Sequence, residues 1–237
     1  MTDVTDATRD AGADATIRAC LSLDQPRSFF LFAGAGAGKT RSLKEALEGL
    51  DAQTLTTLRK HSRKIAVITY TNAAADEITR RVKADPVFQV QTIHSFAWSL
   101  IEGRTADIRG WLESNLQTEI AEIQAAHAKG RAGNAHDERV KKMASKTKRL
   151  ERLAEIRAFT YAPEGDNFGR DALQHTEVIA LAAHFLTESE TFQNIVLARY
   201  PFILIDESQD TMKPLMEALL AFEARHRGRI ALGLLGD

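Results

Sequence analysis

Ala33-Gly34-Ala35-Gly36-Ala37-Gly38-Lys39-Thr40 is the segment of the sequence that is most informative about the fold. An apolar run over Ser28–Phe32 precedes it, and Arg41–Leu50 follows with apolar residues at helical spacing. A glycine-rich loop between a strand and a helix directs backbone N–H groups and a helix N-terminus at one anion, which is typical of phosphate-binding loops. The pattern therefore predicts a nucleotide site, with a flexible Gly/Ala turn as the alternative.

The side chains at the end of this loop suit Mg-ATP. We predict that Lys39 reaches the β and γ phosphates and that the hydroxyl of Thr40 binds Mg²⁺. The residues before Lys39 would contribute backbone N–H donors, and they are Ala33, Gly34, Ala35, Gly36, Ala37 and Gly38. ATP and Mg²⁺ are thus the predicted cofactors.

A buried strand that ends in two acids is the second candidate element of this site. Phe202–Ile205 is wholly apolar, and Asp206 and Glu207 follow it. Open parallel sheets bind their ligands at the carboxyl ends of the strands. We predict that Asp206 holds Mg²⁺ and that Glu207 orients or deprotonates the attacking water. An apolar run followed by acids is weak on its own, and the phosphate loop strengthens it.

Strands and helices alternate around these two elements. The strand patterns cover Ile65–Thr69, Val87–Ile93 and Ile230–Leu235, and the helical patterns cover Asn72–Val82, His94–Ile101 and Pro214–Arg225. Such alternation predicts an α/β fold with a mostly parallel sheet covered by helices on both faces.

Composition divides the chain into four segments. Residues 1–15 are acidic, and we predict a flexible tail there, whereas residues 16–101 and 198–237 carry the alternating pattern. Residues 102–197 are mainly helical in pattern and highly charged, so we predict a helical subdomain inserted into the α/β domain. Its segment Arg139–Arg157 is a basic amphipathic pattern, which fits either a solvated helix face or one that contacts phosphates.

Bulk properties limit the class of protein. The formal net charge is −1 at pH 7, so binding of a polyanion would depend on local clusters of basic residues. The single cysteine, Cys20, cannot form an internal disulfide, and we expect it to pack in the core. The sequence has neither a secretory signal nor an apolar run of the roughly 18 to 20 residues that span a bilayer, so we expect a cytoplasmic protein without a membrane partner.

The string after the acidic strand end identifies a family. Asp206-Glu207-Ser208-Gln209-Asp210-Thr211 resembles motif II of the superfamily 1 DNA helicases of the UvrD/Rep type. The resemblance implies a RecA-like P-loop domain that hydrolyses ATP and moves on DNA. It also implies that Gln209 senses the γ-phosphate and takes part in catalysis with Lys39 and Glu207.

Two further segments resemble the DNA-binding motifs of that family. Thr69–Ile78 is similar to motif Ia and Gln91–Phe96 to motif Ib, although Ala73 replaces a lysine that the family usually has. The resemblance implies contacts with single-stranded DNA, and the implied residues are Tyr70, Thr71, Asn72, Thr92 and His94. Without it, the first segment is simply a strand entering a capped helix and His94 a helix-capping residue.

Two family features are incomplete in this chain. Leu234–Asp237 looks like the start of motif III, and the chain ends within it. We therefore expect a second RecA-like domain of the same protein as the missing partner, and a very low activity of this chain alone. Gln25 is either the family's adenine-reading glutamine or a loop residue before Pro26.

Two alternatives to a helicase motor stay open. One is the motor portion of a helicase-nuclease similar to AddA or RecB, which shares these motifs. The other is a non-catalytic module that uses the P-loop fold to bind DNA or protein. Retention of Lys39, Thr40, Asp206 and Glu207 favours an enzyme.

Overall fold

A parallel five-stranded sheet organises the chain in the computed structural model, which describes residues 14–32, 39–129, 134–163, 169 and 171–237. The strand order is β1-β5-β4-β2-β3. The strands are β1 (Phe29–Phe32), β2 (Ile65–Thr69), β3 (Phe88–Thr92), β4 (Phe202–Ile205) and β5 (Ala231–Gly236). Every neighbouring pair runs parallel, so all five carboxyl ends lie at one edge.

One helix precedes β1, and the other helices lie between the strands in sequence, as βαβ crossovers require. They are α1 (residues 14–20), α2 (Lys39–Glu48), α3 (Ala52–Lys60), α4 (Asn72–Arg81), α5 (Ile93–Ile101), α6 (Thr105–Lys129), α7 (Asn134–Arg152), α8 (His175–Glu188), α9 (Glu190–Arg199) and α10 (Lys213–Arg225). The α/β class predicted from the sequence is confirmed.

Burial follows strand position. All residues of the central strands β2 and β4 are buried, because helices cover both faces of a parallel sheet. The edge strand β1 alternates instead, with Phe29 and Leu31 half-buried and Phe30 and Phe32 exposed. The main core lies on one sheet face, where Leu43 and Leu47 of α2 pack with apolar residues of β2, β4 and β5. Cys20 is buried, as expected.

Helix α4 starts at Asn72, the first residue of the helical pattern in the sequence. Thr71, and not Asn72, is the N-cap, since its side chain accepts a hydrogen bond from the backbone N–H of Ala74 at 3.2 Å. Both residue types satisfy the free N–H groups of a first helical turn, so local sequence alone does not choose between them.

Residues 101–181 form a compact helical unit, and residues 182–237 group with the sheet-bearing part up to residue 100. The sequence interpretation put the end of the inserted segment at residue 197. Within the unit, α6 packs on α7, and ion pairs join Lys146 to Glu119 and Arg149 to Glu177. Two of the basic residues of α7 are therefore neutralised inside the unit.

Long apolar helices are absent from the part of the chain that the structure describes. None of its helices combines the length and the apolar character needed to cross a bilayer.

Candidate active site

The candidate site lies at the carboxyl edge of the sheet, beside β1, β5 and β4. Strand register aligns Phe32 with Gly236, and Ile205 with Leu234. The residues that follow these strands therefore emerge side by side. Lys39 at the start of α2, Asp206 after β4 and Asp237 after β5 meet there, although up to 198 residues separate them in sequence.

Thr40 and Asp206, both predicted from the sequence as metal ligands, are in direct contact. The Thr40 hydroxyl donates a hydrogen bond of 2.7 Å to Oδ2 of Asp206. Asp206 is 3% exposed, and its backbone N–H bonds the carbonyl of Ile68 at 2.8 Å, which fixes it to β2. Burial raises the pKa of Asp206, and the Thr40 hydrogen bond partly opposes that rise. The result is a buried carboxylate beside a hydroxyl oxygen.

Lys39 is buried among carboxylates. It is 6% exposed, and its ammonium forms an ion pair with the side chain of Asp237. That hydrogen bond is the main cause of the raised pKa of Lys39, and the nearby charges of Glu207 and Asp206 raise it further. One positive charge therefore faces three negative ones, so the described residues alone form an acidic site.

Glu207 is held in an unusual backbone conformation. Its φ of 54° and ψ of 51° lie in the left-handed region, which residues other than glycine seldom adopt. Such a conformation costs on the order of 1–3 kcal/mol and often accompanies functional sites. The Glu207 carboxylate accepts a hydrogen bond of 2.8 Å from the side-chain amide of Gln209, so it is oriented by a second residue predicted from the sequence.

Gln209 also contacts the end of β5. Its Oε1 accepts a hydrogen bond from the backbone N–H of Asp237 at 3.4 Å. A methyl group added at Gly236 would lie 2.7 Å from Oε1 of Gln209 and 2.6 Å from the hydroxyl oxygen of Ser208. Only glycine allows this close approach, so the backbone of β5 and the Gln209 side chain are positioned together.

A second group of predicted residues follows β2 and β3 at the same edge. Thr69 and Thr92, the last residues of these strands, are aligned in the register. Tyr70 is 60% exposed, and Thr71 and Asn72 are also exposed. These residues present an aromatic ring and polar groups to solvent at the carboxyl edge.

The two residues predicted from motif Ib are less accessible. The Thr92 hydroxyl lies 3.0 Å from the hydroxyl of Ser95 and accepts a hydrogen bond from the Ser95 backbone N–H at 3.4 Å, so it caps α5. His94 is half-buried in the first turn of that helix. Phe96 is fully buried against Tyr200, with ring centroids 5.7 Å apart.

The other predicted residues are Gln25 and the backbone donors of the phosphate loop. Gln25 is exposed in the loop before β1. The backbone donors of the phosphate loop lie outside the described residues, and they are Ala33, Gly34, Ala35, Gly36, Ala37 and Gly38.

Two contacts were not predicted from the sequence. Asp237, the partner of Lys39, is predicted from the sequence only as part of a motif, and the signal that could have found it is an acid directly after a buried strand. Lys44 and Glu77 form an ion pair between α2 and α4, in which the Lys44 side chain is 12% exposed. The contact with Lys44 lowers the pKa of Glu77. It ties the helix after the phosphate loop to the segment predicted to bind DNA.

Two comparisons with known proteins show what this chain is similar to. The profile of the family described as "AAA domain" matches residues 17–237. The Gabija protein GajB of Bacillus cereus (strain HuB5-5) is 32% identical over 109 residues, which cover 46% of this chain. The aligned segment spans 16% of the length of GajB.

Proposed function

Because the chain belongs to the AAA domain family, we propose that it is the ATP-binding motor domain of a superfamily 1 DNA helicase similar to UvrD and Rep. The convergence of Lys39, Thr40, Asp206 and Glu207 at one sheet edge carries this proposal. An acid held in a left-handed conformation beside a buried lysine favours an enzyme over a domain that only binds protein or DNA, because such conformations cluster at active sites.

The residues present fit Mg²⁺. Thr40 and Asp206 offer hydroxyl and carboxylate oxygens 2.7 Å apart, and Mg²⁺ prefers oxygen ligands. A buried carboxylate whose pKa is raised by desolvation is stabilised by a bound cation. In this proposal Mg²⁺ supplies positive charge that offsets the phosphates and the excess of carboxylates around Lys39.

Hydrolysis in this site would use Lys39, which follows β1, and Glu207, which follows β4. Lys39 binds the phosphates of ATP through its ammonium, and Glu207 accepts a proton from the attacking water. The water oxygen forms a bond to the γ-phosphorus while the bond to the bridging oxygen of ADP breaks, leaving ADP and inorganic phosphate. Gln209 orients the Glu207 carboxylate through its 2.8 Å hydrogen bond.

Single-stranded DNA is the proposed polymer ligand. The exposed ring of Tyr70 is suited to stacking on a base, and Thr71 and Asn72 beside it offer hydrogen-bonding groups. His94 and Thr92 lie at the neighbouring strand end, where Thr92 already caps a helix. The ion pair between Lys44 and Glu77 gives a physical connection from the nucleotide helix to this surface.

Full activity in this proposal requires a second RecA-like domain. The resemblance to UvrD and Rep implies that the arginines that stabilise the transition state lie on such a domain. Supplying such an arginine accelerates other P-loop enzymes by roughly 10³- to 10⁵-fold. The 237-residue chain is therefore expected to bind ATP well and to hydrolyse it slowly.

Single-turnover hydrolysis of Mg-ATP by an excess of the 237-residue chain tests the enzymatic part of this proposal. We expect slow release of phosphate that is faster than in the Lys39→Ala and Glu207→Gln variants. Equal rates in the wild type and both variants would show that this edge of the sheet does not hydrolyse ATP.

A further inference from the structure

The contact between Lys39 and Asp237 joins a buried cation to an accessible anion. The Lys39 side chain is 4% exposed, whereas the Asp237 side chain is 43% exposed. An exposed carboxylate can regain water when it leaves its partner, while the buried ammonium favours close contact with an anion. The geometry therefore suits an exchange of one anion for another at Lys39.

A nucleotide phosphate is the anion with which Asp237 would compete. Three carboxylates already act on Lys39, and the Asp237 hydrogen bond contributes most to its raised pKa. A polyphosphate that approaches Lys39 meets the negative charge of Asp237 at the same ammonium. Both anions cannot make the same close contact without strong repulsion.

Hydrogen bonds connect the backbone of Asp237 to Glu207, the proposed catalytic base, through Gln209. Its N–H bonds Oε1 of Gln209 at 3.4 Å, and the amide of Gln209 bonds the Glu207 carboxylate at 2.8 Å. Gly236 approaches Gln209 so closely that an added methyl group would collide with it. A shift at the end of β5 therefore changes the position of Gln209.

We propose that Asp237 gates the site: its carboxylate competes with a nucleotide phosphate for Lys39, and a bound phosphate displaces it and moves the backbone that contacts Gln209. This inference rests on the proposed function, because it takes Lys39 as the residue that binds phosphate. It gives Asp237 a regulatory role that acts through Gln209.

Removing the competing charge tests the gate. Affinity for Mg-ATPγS is measured by calorimetry on the wild type, on Asp237→Asn and on Asp237→Ser. Asp210→Asn is the matched control, since Asp210 is an exposed acid on the same loop and its loss changes the net charge equally. Asp237→Asn and Asp237→Ser should bind roughly tenfold more tightly, the gain expected if the contact is closed in about nine molecules of ten. Asp210→Asn should stay within about twofold of the wild type, because its charge is more screened.

The reactivity of Lys39 provides a second readout without nucleotide. Acetylation by N-hydroxysuccinimidyl acetate is followed by peptide mass spectrometry, with Lys213, whose side chain is 84% exposed, as the internal reference. Acetylation of Lys39 relative to Lys213 should rise in both Asp237 variants.

The outcomes separate the gate from the proposed function. Failure of the wild type to bind Mg-ATPγS would remove both. Binding that depends on Lys39 but is equally tight in the wild type and the Asp237 variants would remove the gate alone. Loss of folding in both Asp237 variants, judged by circular dichroism, would also overturn it, because a displaceable carboxylate cannot be essential to the fold.

Discussion

The hydroxyl of Thr40 donates a 2.7 Å hydrogen bond to Oδ2 of Asp206, 166 residues later in the sequence. The bond joins the start of α2 to the end of β4, and so connects the two halves of the candidate site. It brings together two oxygen ligands of the kind that Mg²⁺ prefers. Nucleotide binding should therefore depend on Mg²⁺ through these two residues.

Replacing Thr40 by valine keeps the shape of the side chain but removes the hydroxyl. The Mg²⁺ concentration needed for half-maximal ATP binding should rise by roughly tenfold or more, as for lost metal-site contacts in general. Fluorescence of a labelled ATP analogue during a Mg²⁺ titration measures this. Thr40→Ser retains the hydroxyl and should stay near the wild type. A valine variant with wild-type Mg²⁺ dependence would remove Thr40 from the metal site.

Glu207→Gln should separate binding from turnover. The amide has nearly the same shape as the carboxylate but cannot accept a proton from water, so hydrolysis should fall by about 10²- to 10⁴-fold. Affinity for Mg-ATP should change little. Single-turnover phosphate release and calorimetry measure the two quantities on the same preparation, with Asp210→Asn as a control of equal charge. Wild-type hydrolysis in Glu207→Gln would mean that the base lies elsewhere.

Gly236→Ala should displace the side chain of Gln209. The added methyl group would lie 2.6 Å from the Ser208 hydroxyl oxygen and 2.7 Å from Oε1 of Gln209. Both atoms are ends of side chains that can rotate away, so the free energy of unfolding should fall by less than about 1 kcal/mol. Urea unfolding measures the free energy, and hydrolysis should fall as well.

Gly110→Ala is the matched control for that substitution. Gly110 lies within α6, and an added methyl group there meets nothing within 4 Å. Alanine should raise helix stability by roughly 0.5–1 kcal/mol. Equal effects of the two substitutions would contradict the close approach at Gly236.

Tyr70→Ala should weaken binding of single-stranded DNA. Loss of one stacked base contact costs about 1–3 kcal/mol, and replacing His94 by alanine as well should weaken binding further. Fluorescence anisotropy of a labelled oligothymidylate measures the affinity, which should fall steeply as salt is raised because bound counterions are released. Tyr70→Phe keeps the ring and serves as the control. Affinity that is independent of salt, or unchanged in the Tyr70→Ala/His94→Ala variant, would place the DNA elsewhere.

The central strands could be predicted from the sequence in detail. The bounds of β2 and β4 match the apolar runs, because strands buried on both faces carry continuous apolar sequence. The contact of Lys44 with Glu77 could not be predicted in the same way. It depends on how helices α2 and α4 pack on the sheet, and local periodicity contains no information about that packing.

Contacts between residues far apart in the sequence could likewise not be predicted from local sequence patterns. The partner of Lys39 is set by the strand order that brings β5 beside β1, and an acid after a strand could equally face solvent. Helix α9 has the same kind of pattern as the helices before it, so sequence alone did not reveal that residues 182–197 group with the sheet. Local propensity predicts whether a segment is a helix or a strand. Long-range packing determines to which compact unit that segment belongs.

Binding of Mg-ATPγS to the wild type and to Lys39→Ala, measured by calorimetry on protein whose folding is verified by circular dichroism, tests the nucleotide site most directly. The wild type should bind one nucleotide per chain. Lys39→Ala should lose at least about tenfold in affinity, because hydrogen bonds to charged groups contribute about 1.5–3 kcal/mol. Unchanged affinity and stoichiometry in Lys39→Ala would contradict a nucleotide site at this edge of the sheet.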